Sequence, residues 1–154
     1  MNKITTTLAN LPNHEGEIIG PSEWLEITQE RINKFAEATN DFQWIHVDVE
    51  RANKELDGTI AHGFLTLALI PYLSHGFLDI TDSSRGMNYG VEKVRFTKPI
   101  KVGKRIRAVT KIIEARKRVN MYQITLETTI EIEGESRPAC VATTVGIAFP
   151  NDGE

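Results

Sequence analysis

The amino-acid sequence predicts an α+β fold in which an antiparallel sheet curls around one buried helix. Three observations carry this. Residues 87 to 149 alternate apolar and polar side chains in several runs. Residues 28 to about 78 carry helical spacing and loop residues instead. A segment from about His62 to His75 is apolar on nearly every side. Strands with one apolar and one polar face form an antiparallel sheet that is wet on one side, so something apolar must cover the other. The 62–75 segment is the candidate in this chain with enough apolar surface.

The first twenty residues hold Pro12, Gly16 and Gly20 with little periodicity, and are expected to run as a lead-in over the surface. A helix then starts after Thr28, whose hydroxyl suits a cap because it accepts from the free N–H groups of the first turn. Ile27 and Ile32 are placed as a hydrophobic staple. Ile32, Phe35, Ala36 and Thr39 follow at helical spacing and make one buried stripe, which Asn40 ends. In the 62–75 helix, Phe64, Leu65, Leu67, Ala68, Leu69, Ile70, Tyr72 and Leu73 leave almost no polar face, which predicts burial all round. Pro71 should bend it and Gly76 should stop it. A strand over Tyr89–Phe96 follows, closed by Pro99. Next come strands with Ile106, Ala108, Thr110 and Ile112, then Tyr122, Ile124, Leu126, Thr128, Ile130 and Ile132, then Val141, Thr143, Val145, Ile147 and Phe149 facing inward. Arg116–Asn120 and Glu133-Gly134-Glu135 are the turn signals between them.

Composition bounds what this chain does. At 154 residues and 17.3 kDa it is expected to be one domain, 1–154, with a core that needs no staples. Hydrophobic residues at 40% and charged residues at 25% exclude a disordered chain. One cysteine, Cys140, allows no internal disulfide and no cysteine-rich zinc site. The net charge of −3 gives no reason to expect nucleic acid as a partner. The apolar run Phe64–Leu73 is far short of the about 20 residues of a membrane span, and Met1–Leu8 lacks the apolar run of a signal peptide. The expectation is therefore a cytoplasmic protein without membrane partners.

Two short stretches hold chemistry. Asp41 and His46 lie five positions apart, where a helix would separate them, but a loop leaving a helix turns both toward one point. A carboxylate and an imidazole converging on one water suit general acid–base work near neutrality. The commoner reading of such spacing is Asp41 as a cap and His46 as a packed, hydrogen-bonded residue. The second stretch is Ala61-His62-Gly63-Phe64, at the expected helix start. Free N–H groups and the positive end of the dipole there can hold a developing oxyanion, and Gly63 allows close approach to the backbone. Gly63 as an easy entry to the helix, and His62 as a residue of the capping region, are the plainer readings. Neither His14 nor His75 makes a metal-like spacing with carboxylates, so no metal site is expected. Eight basic residues fall in 101–118 (Lys101, Lys104, Arg105, Arg107, Lys111, Arg116, Lys117, Arg118), against Glu114 alone. A solvated face of two strands explains them better than a landing strip for coenzyme A phosphates.

The stretch Phe35-Ala36-Glu37-Ala38-Thr39-Asn40-Asp41-Phe42-Gln43-Trp44-Ile45-His46-Val47-Asp48, followed by Ile60-Ala61-His62-Gly63-Phe64-Leu65, resembles the MaoC-like dehydratases, which include the R-specific enoyl-CoA hydratases. Asn88-Tyr89-Gly90 and Arg137–Ala142 resemble the NodN-like branch of that family. The resemblance runs from about Gly20 to Phe149. It implies a hot-dog fold, usually paired as a homodimer, and reversible hydration of trans-2-enoyl thioesters to (R)-3-hydroxyacyl thioesters. It implies Asp41 and His46 as the water-activating pair, Gly63 N–H as the donor to the thioester carbonyl, and Asn88 as a further substrate contact. The partner would be an acyl thioester of coenzyme A or acyl carrier protein; no cofactor is implied, since coenzyme A enters only within the substrate. Many R-specific hydratases read Gly-Asp-x-Asn-Pro-x-His, where this chain has Asn40, Gln43 and Trp44 around an intact pair. A hot-dog thioesterase and a non-catalytic acyl-binding subunit are the alternatives. Release of free thiol would mark the first, and tolerance of losing Asp41 the second.

Overall fold

Helix α1 (Gln29–Thr39) begins as its sequence dictates: Thr28 takes an extended backbone and its hydroxyl accepts from Arg31 N–H at 3.2 Å. Asn40 ends it in the left-handed region, at φ 57°. Ile32 and Ala36 are fully buried, while Thr39 lies exposed and returns its hydroxyl to the Phe35 carbonyl. These coordinates form a computed structural model that describes residues 2–151; Met1 and 152–154 lie outside the described residues.

Two helices follow α1 in quick succession, α2 (Trp44–Val47) and α3 (Val49–Glu55), the latter capped by the Asp48 carboxylate on Arg51 N–H. The chain then crosses to α4 (Gly63–Ala68) and α5 (Ile70–Leu73). The expected 62–75 helix is thus jointed at Leu69. Pro71 falls in the first turn of α5, where its missing N–H costs little, rather than in the middle of a continuous rod. Nor is this segment buried all round. Leu65, Thr66, Leu69, Ile70 and Leu73 face the core, but Phe64 (69% exposed), Ala68, Pro71 and Tyr72 form an exposed stripe.

The main sheet is antiparallel. Its long strands are β5 (Ser83–Phe96), β6 (Arg105–Lys117), β7 (Tyr122–Ile132) and β8 (Cys140–Pro150). Two short strands, β2 (Ile18–Ile19) and β3 (Leu25–Glu26), both pair with β6, and the order across the sheet is β2-β6-β7-β8-β5. A separate parallel pair joins β1 (Ile4–Thr6) to β4 (Leu78–Ile80). The lead-in is therefore no surface strap. Ile4, Leu8, Leu11 and Ile19 all enter the core, Ile4 on the strand that pairs with β4 and Ile19 on the one that pairs with β6.

The faces of β6 and β7 match the alternation: Ile106, Ala108 and Ile112 face inward opposite Ile132, Ile130 and Leu126, and Thr110 meets Thr128 at 2.9 Å. For β8 the phase is reversed. Residues directly opposite share a face, and Cys140, Ala142, Thr144, Gly146 and Ala148 stand opposite the inward residues of β7. Larger Val141, Thr143, Ile147 and Phe149 point the other way, as does Val145, which is nevertheless buried opposite Thr125 as the alternation predicts. α4 packs on β8, and small side chains let the helix approach.

This phase makes a prediction. Ala142→Leu should destabilise by about 1–3 kcal/mol in urea unfolding, since the site is closed. Val141→Leu on the opposite face should stay within about 0.5 kcal/mol. The reverse ranking would mean that the sheet faces are inverted.

Candidate active site

Asp41, His46 and His62 meet where α1, α2 and α4 come together. One oxygen or nitrogen from each lies within 4.8 Å of the other two. The sequence forces this locally. Asn40 turns the chain left-handed at the end of α1 and sends Asp41 back toward α2; asparagine is the residue after glycine that tolerates this conformation best. Asn40 thus does here what glycine does in the Gly-Asp-x-Asn-Pro-x-His pattern. Gln43 and Trp44 form the start of α2, and Trp44 is covered by the Arg51 guanidinium at 3.9 Å.

His46 is buried and tied on three sides. Its Nδ1 lies 2.6 Å from the Ile60 carbonyl, which can only accept, so the hydrogen sits on Nδ1 and the lone pair on Nε2. Its own carbonyl accepts from Gln29 Nε2 at 2.8 Å, and Gln29 in turn accepts from the buried Thr59 hydroxyl. Ile60 N–H returns a bond to the Ile45 carbonyl at 3.0 Å. Burial holds the His46 pKa below the ordinary histidine value of 6.5; the Ile60 bond and the Asp41 charge work against this without cancelling it. A neutral imidazole with a free Nε2 lone pair is a base.

The Asp41 side chain is 54% exposed; it accepts one long hydrogen bond, 3.4 Å, from Gln43 N–H, and its other oxygen lies 4.0 Å from His62 Nε2. Two groups that each hold one water at about 2.8 Å sit about 4.5 Å apart. A carboxylate and an imidazole at this separation suit one shared water.

His62 is the residue that the sequence left as a capping-region side chain. It occupies the cap position of α4 but makes no side-chain cap bond. Its ring stacks on His46 at 3.8 Å and 21°, and its Nε2 donates to the Asp41 main-chain carbonyl at 3.0 Å. The signal that could have found it was its type: caps favour oxygen-bearing Ser, Thr, Asp and Asn, and histidine is not among them. Two imidazoles and a carboxylate are also a metal-ligand set. The stacking argues against that use. Rings this close to parallel aim their lone pairs along near-parallel lines, which do not converge on a point about 2.0–2.1 Å from each.

Gly63 follows His62 directly, so its N–H lies beside the stacked pair. That N–H has no protein partner among the described residues. The space a Cβ would fill is taken by the Phe96 ring, at 2.9 Å, which makes glycine a packing requirement here as well. Asn88 is not in this group. It lies on β5 eight residues before Phe96, about 26 Å along an extended strand, and lines a cleft of about 460 Å³ with Leu67, Ile70, Pro71, Tyr89 and Val91. Much of the basic stretch is paired with acids: Arg105 with Glu133 and Arg107 with Glu131 across the sheet, Lys104 with Glu135 in the turn after β7, and Arg116 with Glu114 on β6 itself. The solvated-face reading holds for these residues.

Comparison with known proteins decides the family. The MaoC-like domain model matches residues 11–135. The 3-hydroxyacyl-thioester dehydratase Z of Mycobacterium tuberculosis is 47% identical over 141 residues, covering 90% of this chain and 93% of the relative. The chain belongs to the MaoC-like dehydratase family. Nodulation protein N of Rhizobium leguminosarum bv. viciae is 43% identical over 95% of this MaoC-like chain and 94% of its own length, in line with the branch expected from Asn88-Tyr89-Gly90. An unliganded R-hydratase from Pseudomonas aeruginosa shares the hot-dog fold with a TM-score of 0.72, at 20% identity over 89% of this chain and 83% of that one.

The buried His46 also couples stability to pH. Its folded pKa is depressed, so the unfolded chain takes up the proton first as pH falls through 6.5. Stability present above that pH is lost on acidification. Between pH 6.5 and 5, His46→Gln should flatten the slope of unfolding free energy against pH in urea titrations. An unchanged slope would show that His46 titrates as a free histidine.

Proposed function

We propose that this chain catalyses the reversible hydration of trans-2-enoyl thioesters to (R)-3-hydroxyacyl thioesters. The single observation that carries the reading is the meeting of a buried His46 imidazole, held by its Nδ1–H on the Ile60 carbonyl, with the open Asp41 carboxylate, a ring nitrogen and a carboxylate oxygen lying within 4.8 Å of each other. Its support is the family, whose relative at 47% identity is a 3-hydroxyacyl-thioester dehydratase.

In the forward direction the enoyl thioester lies with its carbonyl oxygen at the Gly63 N–H. Asp41 and His46 hold one water against the β-carbon. His46 Nε2 takes a proton as the water oxygen bonds to that carbon. The π electrons shift toward the thioester carbonyl, where the start of α4 stabilises the enolate-like charge. The α-carbon then receives a proton through the same pair, so one water is consumed and the thioester bond stays intact. Dehydration is the reverse. Coenzyme A, where it is the carrier, enters as part of the substrate, and the chemistry draws on no cofactor.

We also propose that the working unit is a homodimer joined along β5. That strand is 14 residues long, lies at the sheet edge and is exposed along most of its length. Met87, Tyr89 and Val91 on it, with Phe64 and Tyr72 on the helix stripe, form an apolar surface too continuous for a stable monomer. Val91→Lys should shift the sedimentation profile toward monomer; a wild-type monomer at micromolar concentration would contradict the pairing.

The catalytic test follows loss of enoyl-thioester absorbance. Asp41→Asn and His46→Gln should each lower kcat by about 10²–10⁴-fold, with folding intact by circular dichroism. The acid limb of the wild-type kcat/KM profile should lie below pH 6.5. A folded variant of either kind with wild-type turnover would end the proposal.

A further inference from the structure

The Asp41/His46 pair leaves one buried imidazole beside it without a task. His62 is 2% exposed. One face of its ring stacks on His46, and the Phe35 ring tilts against it at 4.9 Å. Its Nε2 donates to the Asp41 main-chain carbonyl, while its Nδ1 is buried with no partner. A buried nitrogen left unpaired costs stability, so a side chain kept only for packing would be better served by an apolar ring.

We propose that His62 is a positioning residue that clamps the two members of the water-activating pair to each other. This rests on the assignment of Asp41 and His46 as that pair. The clamp has two jaws. The ring face restrains the His46 imidazole, whose tilt decides where its Nε2 lone pair points. The Nε2–H holds the Asp41 main-chain carbonyl at 3.0 Å and lies 4.0 Å from the Asp41 carboxylate, which otherwise accepts only the long bond from Gln43 N–H. Because Gly63 follows in the chain, the same residue also fixes the pair relative to the free N–H at the start of α4. A shift of one reacting group by about 1 Å is enough to cost about 10²-fold in rate. The titratable groups facing His46 are Asp41 from the loop after α1 and His62 from the start of α4; its other neighbours, Gln29 and the Ile60 carbonyl, carry no charge.

Two substitutions separate the jaws. His62→Phe keeps a flat face for His46 and loses the bond to Asp41. His62→Gln keeps a donor within reach of Asp41 and loses the face. Each should lower kcat about 10–100-fold while KM stays within about threefold, as removal of an orienting partner does. The acid limb of kcat should move toward ordinary histidine behaviour in His62→Gln but not in His62→Phe. A readout independent of turnover is the nitrogen NMR spectrum of the His46 ring, which should keep the Nδ1–H tautomer set by the Ile60 carbonyl throughout but show a shifted and broadened Nε2 signal in His62→Gln, where the stacked face is lost. Should His62→Phe fail to fold, His62→Gln carries the same comparison. Folded variants with wild-type kcat, pH profile and His46 spectrum overturn the proposal. Loss of melting temperature alone, with these three unchanged in the folded fraction, overturns it too. A wild type without hydratase turnover, whose His46 spectrum still changes on His62→Gln, defeats the functional reading and leaves the clamp standing.

Discussion

The hydrogen bond from His46 Nδ1 to the Ile60 carbonyl governs the site. It selects the tautomer, and with it which nitrogen faces the opening. It also ties two stretches of chain that the sequence keeps 14 residues apart. Ile60 is itself held by Ile45 and bridges Lys101, and Ala61 N–H donates to the Ile100 carbonyl. His46 is therefore anchored, through Ile60 and Ala61, to the segment that leads into β6. Its ring is also stacked on His62, the residue that opens α4. The Asp41 carboxylate, in contrast, stays exposed. One member of the cluster is buried and the other open to water, so the two groups sit in different environments side by side.

Much of the fold was legible because the relevant forces are local. The Thr28 cap, the Asn40 stop and the alternation of β6 and β7 depend on the residue and its immediate neighbours. What was not legible depends on distance in three dimensions. The inward face of β8 is its small-residue face, because α4 lies close to it, and alternation in hydrophobicity pointed to the larger side chains. The apolar lead-in residues Leu8 and Leu11 have no periodicity to read, yet both are core. Apart from Glu114, the acidic partners of the basic stretch sit on β7 and in the turn after it, invisible to a count along 101–118.

At the site, Asp41, His46 and Gly63 were readable from a pattern of residue types in order. His62 does take the cap position that its place in the chain suggests, while its stacking on His46 becomes visible only in the fold. The exposed stripe of Phe64, Ala68, Pro71 and Tyr72 carries a related lesson. Apolar periodicity reports what is buried in the working assembly, and this stripe continues onto the unpaired edge strand β5. The helix that the sequence marks as apolar all round is buried in this chain on one side only, and the proposed pairing along β5 would cover the other.

The central claim is that the activated water adds to the carbon–carbon double bond and leaves the thioester whole. The most direct measurement is turnover of a trans-2-enoyl thioester in heavy-oxygen water, with mass analysis of the product. The account predicts the label on the β-hydroxyl of a thioester still joined to its carrier. Label in a free carboxylate, together with released thiol, would contradict it and make the protein a thioesterase.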